Sequence, residues 1–267
     1  MLVKLIGYET KAFGRIMLPL YAAMLGFALI TGLSLRFMPE NFTSGLPGVL
    51  LFMLYGILMM SIVVMTCVLS VTRFYKNLLG VEGYLMFSLP TDTGTLIASK
   101  VISVILWSAM STVTAVLAIV LTILGAGGIG PFREVLQAIT SPEFIENFRN
   151  GLGATVLFLL MMILGAAASI TRIYAGIAIG HQFSDHRILM SVVALIGFNV
   201  IGTILTSVLS QTGMYFGIFD SIGRIFEADT TQALYLALGG TILFLLFQTA
   251  LFGVITWFLL DRNLNLE

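Results

Sequence analysis

The chain has 267 residues, 58% of them hydrophobic and 10% charged, with a mean hydropathy of +1.05. A soluble domain of this size carries about 25% charged residues, so a water-soluble globule is excluded and the solvent is a bilayer. Thirteen basic and thirteen acidic side chains cancel, which leaves no net charge to recruit nucleic acid.

The first fifteen residues carry Lys4, Glu9, Lys11 and Arg15. They show no apolar core followed by a small-residue cleavage site, so a cleavable signal peptide is not expected. Leu2, Ile6, Phe13 and Met17 share one helical face, and Lys4, Lys11 and Arg15 lie nearly opposite. The pattern predicts an amphipathic helix over residues 1–15, lying in the interface with its basic face toward anionic headgroups.

A hydrocarbon core of about 30 Å needs about 20 apolar residues in a helix. Charge-free runs of that length are Ile16–Leu35, Asn41–Thr72, Val101–Phe132, Asn150–Thr171, Ile188–Phe219 and Thr230–Leu260. The expectation is an all-α integral membrane protein with six transmembrane helices, a single domain over residues 1–267. The basic residues orient it. With the N-terminus inside, nine fall on the inner side (Lys4, Lys11, Arg15, Arg73, Lys76, Lys100, Arg172, Arg187, Arg262) and four on the outer (Arg36, Arg133, Arg149, Arg224). That asymmetry places both termini in the cytoplasm. Lys100 and Arg172 read as interface anchors whose charged heads reach toward water.

Two outer loops exceed a simple turn. Gly125 to Pro131 is glycine-rich and should break the helix, after which Phe132, Val135, Leu136 and Ile139 recur at helical spacing. Ser141-Pro142-Glu143 has the form of a helix start, with a capping hydroxyl, a proline in the first turn and an acid near the positive dipole end. Phe216, Phe219, Ile222 and Phe226 predict another amphipathic turn. Gly176 and Gly180, or Gly165 and Ser169, allow close helix approach. Methionines such as Met53, Met59, Met60 and Met162 read mainly as gap fillers.

Reactive chemistry is missing. The mid-membrane stretches hold no ionisable residue, which argues against an ion-coupled carrier. Cys67 is the only cysteine. His181 and His186 stand five apart with no further ligands nearby, which points to a solvated loop and no metal site. No lysine follows a glycine anywhere, so a phosphate-binding loop for ATP is absent. The chain is not expected to be an enzyme, and it has no cofactor of its own.

Between the second and third spans the chain reads RFYKNLLGVEGYLMFSLPTDTGTLIASK, from Arg73 to Lys100. This segment resembles the cytoplasmic loop of type-2 ABC exporter permeases, in particular small Firmicute permeases with a similar Arg-Phe-Tyr-Lys-Asn-Leu run. The later loop, from Ile179 to Arg187, resembles that family more weakly. In the family the first loop forms a coupling helix that docks on the ATP-binding subunit. The resemblance therefore implies that Glu82, Gly83, Tyr84, Phe87 and Pro90 face an ABC ATPase, which binds the ATP and Mg. It implies that His181, Asp185, His186 and Arg187 form a second docking loop. It also implies a second permease subunit, identical or homologous, in the bacterial plasma membrane, and an exported cargo such as a peptide, lipid or drug. An ATP-independent secondary carrier, or a membrane scaffold or immunity protein that transports nothing, stands as the alternative.

Overall fold

A computed structural model of the chain describes all residues except 38–44, 81–82, 89–90, 128, 184–185, 216–229 and 263–267. The expected turn over 216–226 lies outside the described residues. The described elements are helical throughout. They are α1 (Leu2–Phe37), α2 (Leu46–Phe74), a π-helical segment Tyr75–Leu79, α3 (Gly83–Phe87), α4 (Thr93–Gly127), α5 (Ile129–Ile139), α6 (Pro142–Asn150), α7 (Leu152–Gly180), α8 (Arg187–Tyr215) and α9 (Thr230–Arg262). Six of these, α1, α2 with its π-helical extension, α4, α7, α8 and α9, are long and apolar enough to cross a membrane.

The chain sorts into two compact units, one formed by Met1–Thr72 with Ile102–Gly151, the other by Arg73–Val101 with Leu152–Glu267. In the first, α1 presents Phe13, Met17, Tyr21, Met24 and Ala28, all buried, at spacings of three and four. Phe13 stacks on Trp107 of α4 at 6.2 Å between ring centroids. Tyr21 shares a hydrogen bond of 2.8 Å with Ser111 and donates to the Trp107 carbonyl oxygen at 3.3 Å. Thr66 of α2 lies 3.5 Å from the same Ser111 hydroxyl.

The predicted interfacial helix is not a separate element. Residues 2–15 are the opening turns of α1, which runs 36 residues through Pro19 without interruption. At about 1.5 Å per residue that is about 54 Å, well beyond a hydrocarbon core of about 30 Å. Lys4, Lys11 and Arg15 are exposed as the pattern requires, but Phe13 and Met17 of the apolar face are spent on the protein's own core. The apolar stripe crosses residue 15 with no change of period, so nothing tells the helix to stop there.

The break predicted between Gly125 and Pro131 falls where α4 ends at Gly127 and α5 begins at Ile129, and Gly125 itself lies in the last turn of α4. A Cβ at Gly32 would sit 2.6 Å from the Thr122 carbonyl oxygen, and one at Gly125 would sit 2.8 Å from Gly32 Cα. The two glycines let α1 and α4 cross backbone to backbone, and Thr122 donates across that crossing to the Ala28 carbonyl at 3.3 Å. Beyond the glycines the expected helices are present. Ser141 Oγ caps α6 by accepting from the Phe144 N–H at 3.2 Å, with Glu143 in the first turn.

In the second unit α7 is central, buried nearly all round its C-terminal half from Ala167 to Gly180. It packs against both α8 and α9. Gly176 and Gly180 serve α8 of this same chain: a Cβ would meet Leu195 at 2.7 Å from the first and the Arg187 carbonyl at 2.6 Å from the second. Gly165 has open space and makes no such approach. Phe198 of α8 meets Phe252 of α9 at 4.9 Å.

The surface is as informative as the core. On α2, Ile57 is 60% exposed, Met60 64% and Val63 62%. On α8 the most apolar window has no buried residue at all. Apolar patches of that extent on a monomer in water would drive aggregation; in lipid they are the proper outer face.

Candidate functional site

The segment that carried the family resemblance is built from the end of α2, the π-helical segment, α3 and the start of α4. The π-helical segment Tyr75–Leu79 continues α2, and the reversal comes at Gly80, whose Cβ would strike the Lys76 carbonyl oxygen at 2.7 Å. A π-helical turn is rare and marks places where one residue has been added to a helix, re-aiming the chain beyond it. Gly83 then opens α3, its N–H donating to the Gly80 carbonyl at 2.8 Å. Ser88 closes it, its N–H donating to the Tyr84 carbonyl at 3.1 Å and its Oγ to the Leu85 carbonyl at 2.9 Å.

Of the first group of predicted contact residues, Gly83 is buried and Tyr84 is exposed, and Phe87 ends the helix. Glu82 and Pro90 lie outside the described residues. Tyr84 is 61% exposed and its neighbour Leu85 73%. Two large side chains are thus held out on a helix of five residues, a little over one turn.

The base of the loop is closed. Lys100 is 4% exposed and its Nζ donates to the Arg73 carbonyl oxygen at 3.5 Å, joining the first and last residues of the segment. This corrects the reading of Lys100 as an anchor reaching for water. Its ammonium turns to a backbone carbonyl in the last turn of α2. Arg172 is half-buried and donates to Asn199 Oδ1 at 3.4 Å. On the far side of the loop, Thr93 Oγ1 donates to Asp261 Oδ1 at 3.1 Å, tying the start of α4 to the end of α9.

The second loop packs on the first. Phe74, fully buried, stacks on Tyr174 of α7 at 3.9 Å and 10° between planes. One residue on, Tyr75 lies against His181 at 6.0 Å between ring centroids. His181 is 7% exposed, which overturns the solvated reading for that residue, whereas His186 is exposed as expected. Asp185 lies outside the described residues. Arg187 is half-buried, with Nη1 3.4 Å from His181 Nε2. A guanidinium only donates, so Nε2 is the acceptor and the ring's own proton sits on Nδ1. Sequence periodicity had no means of finding this cluster, because Tyr75 and His181 are brought together by two helix ends distant in the chain.

Burial, and then the neighbouring Arg187 guanidinium, hold the His181 pKa below its usual 6.5, against a hydrogen bond to the Leu79 backbone that raises it. Above 6.5 the packed and opened loops are both neutral and the packing contributes in full. As pH falls through 6.5 the opened loop takes up a proton that the packed one resists, so stability is lost from there down to the folded-state pKa. The amides of His181, Gln182 and Phe183 bond to Ile177, Ile179 and Gly180 carbonyls and report on it. Their hydrogen exchange, corrected for intrinsic rate, should rise severalfold between about pH 8 and about pH 5, and His181→Phe should flatten that profile. A wild-type profile already flat would show the imidazole not to be held neutral.

These features define a multi-pass α-helical membrane protein with a small apolar helix in the segment that links its second and third long helices. Comparison with protein-family models, with curated proteins and with solved structures found no match.

Proposed function

We propose that this chain is the membrane-spanning permease subunit of an ATP-driven ABC exporter. The observation that carries the reading is α3 itself. Tyr84 and Leu85 are held exposed in the segment whose sequence resembles the coupling loop of type-2 exporter permeases, on a base tied to three long helices. Exposed apolar clusters outside a bilayer mark partner surfaces.

In this reading α3 seats in a groove of an ATP-binding subunit, with Glu82 and Pro90 flanking the contact. His186 and Asp185 of the second loop stand near the same partner, and His181 joins the two loops from within. Closure of the ATPase dimer on ATP pushes α3. The push passes through the π-helical segment to Tyr174 of α7 and through Thr93 to Asp261 of α9, biasing the spans between inward- and outward-open arrangements. The work is conformational and needs no catalytic residue in this chain. Nine basic residues against four put both termini in the cytoplasm, the membrane is a bacterial plasma membrane, and a second permease, identical or homologous, completes the pathway.

The test is to purify the tagged chain from its native membrane in mild detergent, identify what accompanies it in stoichiometric amount, and reconstitute the two in vesicles. An ATP-binding protein whose hydrolysis drives efflux is the expected result. A chain that purifies alone and transports on an ion gradient without ATP would make it a secondary carrier. One that transports nothing and brings no ATPase would make it a scaffold.

A further inference from the structure

Between α4 and α7 the chain folds into two short helices, α5 and α6, that belong to neither span. Every residue from Arg133 to Arg149 whose side chain is described is exposed, save the half-buried cap Ser141. Large apolar side chains are among them: Leu136, Ile139, Phe144, Ile145 and Phe148 are each 44–55% exposed. Phe144 and Phe148 lie one turn apart with their rings stacked at 6.2 Å. At about 100° per residue Ile145 falls beside them, and Glu143 and Glu146 fall opposite. On α5, Leu136 and Ile139 share a face and Glu134 lies across from it. Each helix is two-faced, and the chain's own fold leaves both apolar faces largely open.

Helix length says what lies against them. Lys100 is the last charged residue before Arg133, and α4 runs unbroken from Lys100 to Gly127. At about 1.5 Å per residue that stretch covers about 40 Å, a bilayer with its headgroups. From Leu152, where α7 begins, to Arg172, its first charge, is about 30 Å, the hydrocarbon core alone. So α5 starts among the headgroups and α6 ends at the edge of the hydrocarbon, at the end of α4 remote from α3. Exposed apolar side chains lead to the pair from both spans, Ile119 and Ile123 on α4 and Leu152 and Val156 on α7. The lipid-facing surface is therefore continuous in sequence through α5 and α6. Charge adds no pull. Glu134, Glu143 and Glu146 stand against Arg133 and Arg149, three acids to two bases, so anionic headgroups do not attract the pair. Apolar burial is the interaction that remains.

We propose that α5 and α6 lie in the bilayer interface, with Leu136, Ile139, Phe144, Ile145 and Phe148 among the acyl chains of that leaflet and the glutamates toward water. The contact is held by apolar burial and has no preference for headgroup charge. It concerns one connection and one leaflet, and does not depend on the transport reading.

The test places a fluorophore on each face of α6 in the full chain, reconstituted in phosphatidylcholine vesicles. Cys67 is first removed as Cys67→Ser, and Phe148→Cys or Glu146→Cys then supplies the single labelling site. The probe at position 148 should be quenched by nitroxides carried on acyl chains. It should also be severalfold less accessible to aqueous acrylamide than the probe at position 146. A minority of phosphatidylglycerol should change neither result. Ile139→Cys against Gln137→Cys asks the same of α5, and takes over should Phe148→Cys fail to fold. Equal acrylamide access on the two faces would overturn the proposal, since both would be wet. Protection at position 148 without quenching by the acyl nitroxides would also overturn it, and give the face to a protein, whether a second copy or another chain. Seating that appears only with phosphatidylglycerol would make the contact one of charge and reject apolar burial as its basis.

Discussion

Gly125→Ala is expected to destabilise the unit built on α1 and α4 by about 1–3 kcal/mol, the usual cost of overpacking. The same change at Gly26 should be neutral or stabilising by up to about 1 kcal/mol. Both glycines are helical, and an added methyl should help any helix whose surroundings leave it room. Around Gly26 there is nothing within 4 Å. At Gly125 the new Cβ falls 2.8 Å from Gly32 Cα and 3.0 Å from the Leu33 nitrogen. Those are backbone atoms, so no rotamer can give way and the helices must part. Parting them also stretches the bond from Thr122 to the Ala28 carbonyl. Gly32→Ala should cost a similar amount, and the double variant less than the sum, since helices already separated have room for the second methyl. Thermal midpoints in detergent, read by size-exclusion fluorescence, are sufficient. Equal midpoints for Gly26→Ala and Gly125→Ala would show that the crossing is looser than described.

The second large effect is functional. Tyr84→Asp combined with Leu85→Asp should leave the chain inserted and folded, because both side chains are mostly exposed and surface changes cost within about 0.5 kcal/mol. Burial of each on a partner is worth about 1.5–3 kcal/mol, so under the proposed exporter function losing both should weaken docking of the ATPase by at least about a hundredfold. In co-purification the partner should disappear, and in vesicles ATP hydrolysis should no longer drive efflux. Glu82→Lys, one residue before Gly83 in the sequence, should under the same proposal uncouple hydrolysis from transport. Normal transport by both variants would remove α3 from the coupling path, whatever the ATPase proves to touch instead.

Both expectations draw on features of different legibility. The spans were readable because a charge-free run long enough to cross a bilayer has few other uses, and all six became long helices. Their ends were not. α4 begins at Thr93, eight residues before the apolar run that starts at Val101, since a helix once nucleated continues through polar residues as long as they are good enough formers. The start of α6 was readable from Ser141-Pro142-Glu143, because capping is a local bond between near neighbours. Hydroxyl contacts such as Tyr21 with Ser111 gave no signal, being 90 residues apart in the chain.

The amino-acid sequence alone settled the solvent, the element type and the number of long apolar helices. All three derive from composition and from the length of charge-free runs, and none depends on what packs where. Tertiary structure decided the partners. It made Gly125 a crossing point inside the stretch that local propensity marked as a break. It drew Lys100 inward to the Arg73 carbonyl and buried His181 against Tyr75. It left Tyr84 and Leu85 outside. In a chain this apolar, hydrophobicity cannot tell the core from the lipid face, because both are greasy. Which side of a helix is buried is set by shape and by a few hydrogen bonds between distant segments, and those exist only once the helices have met.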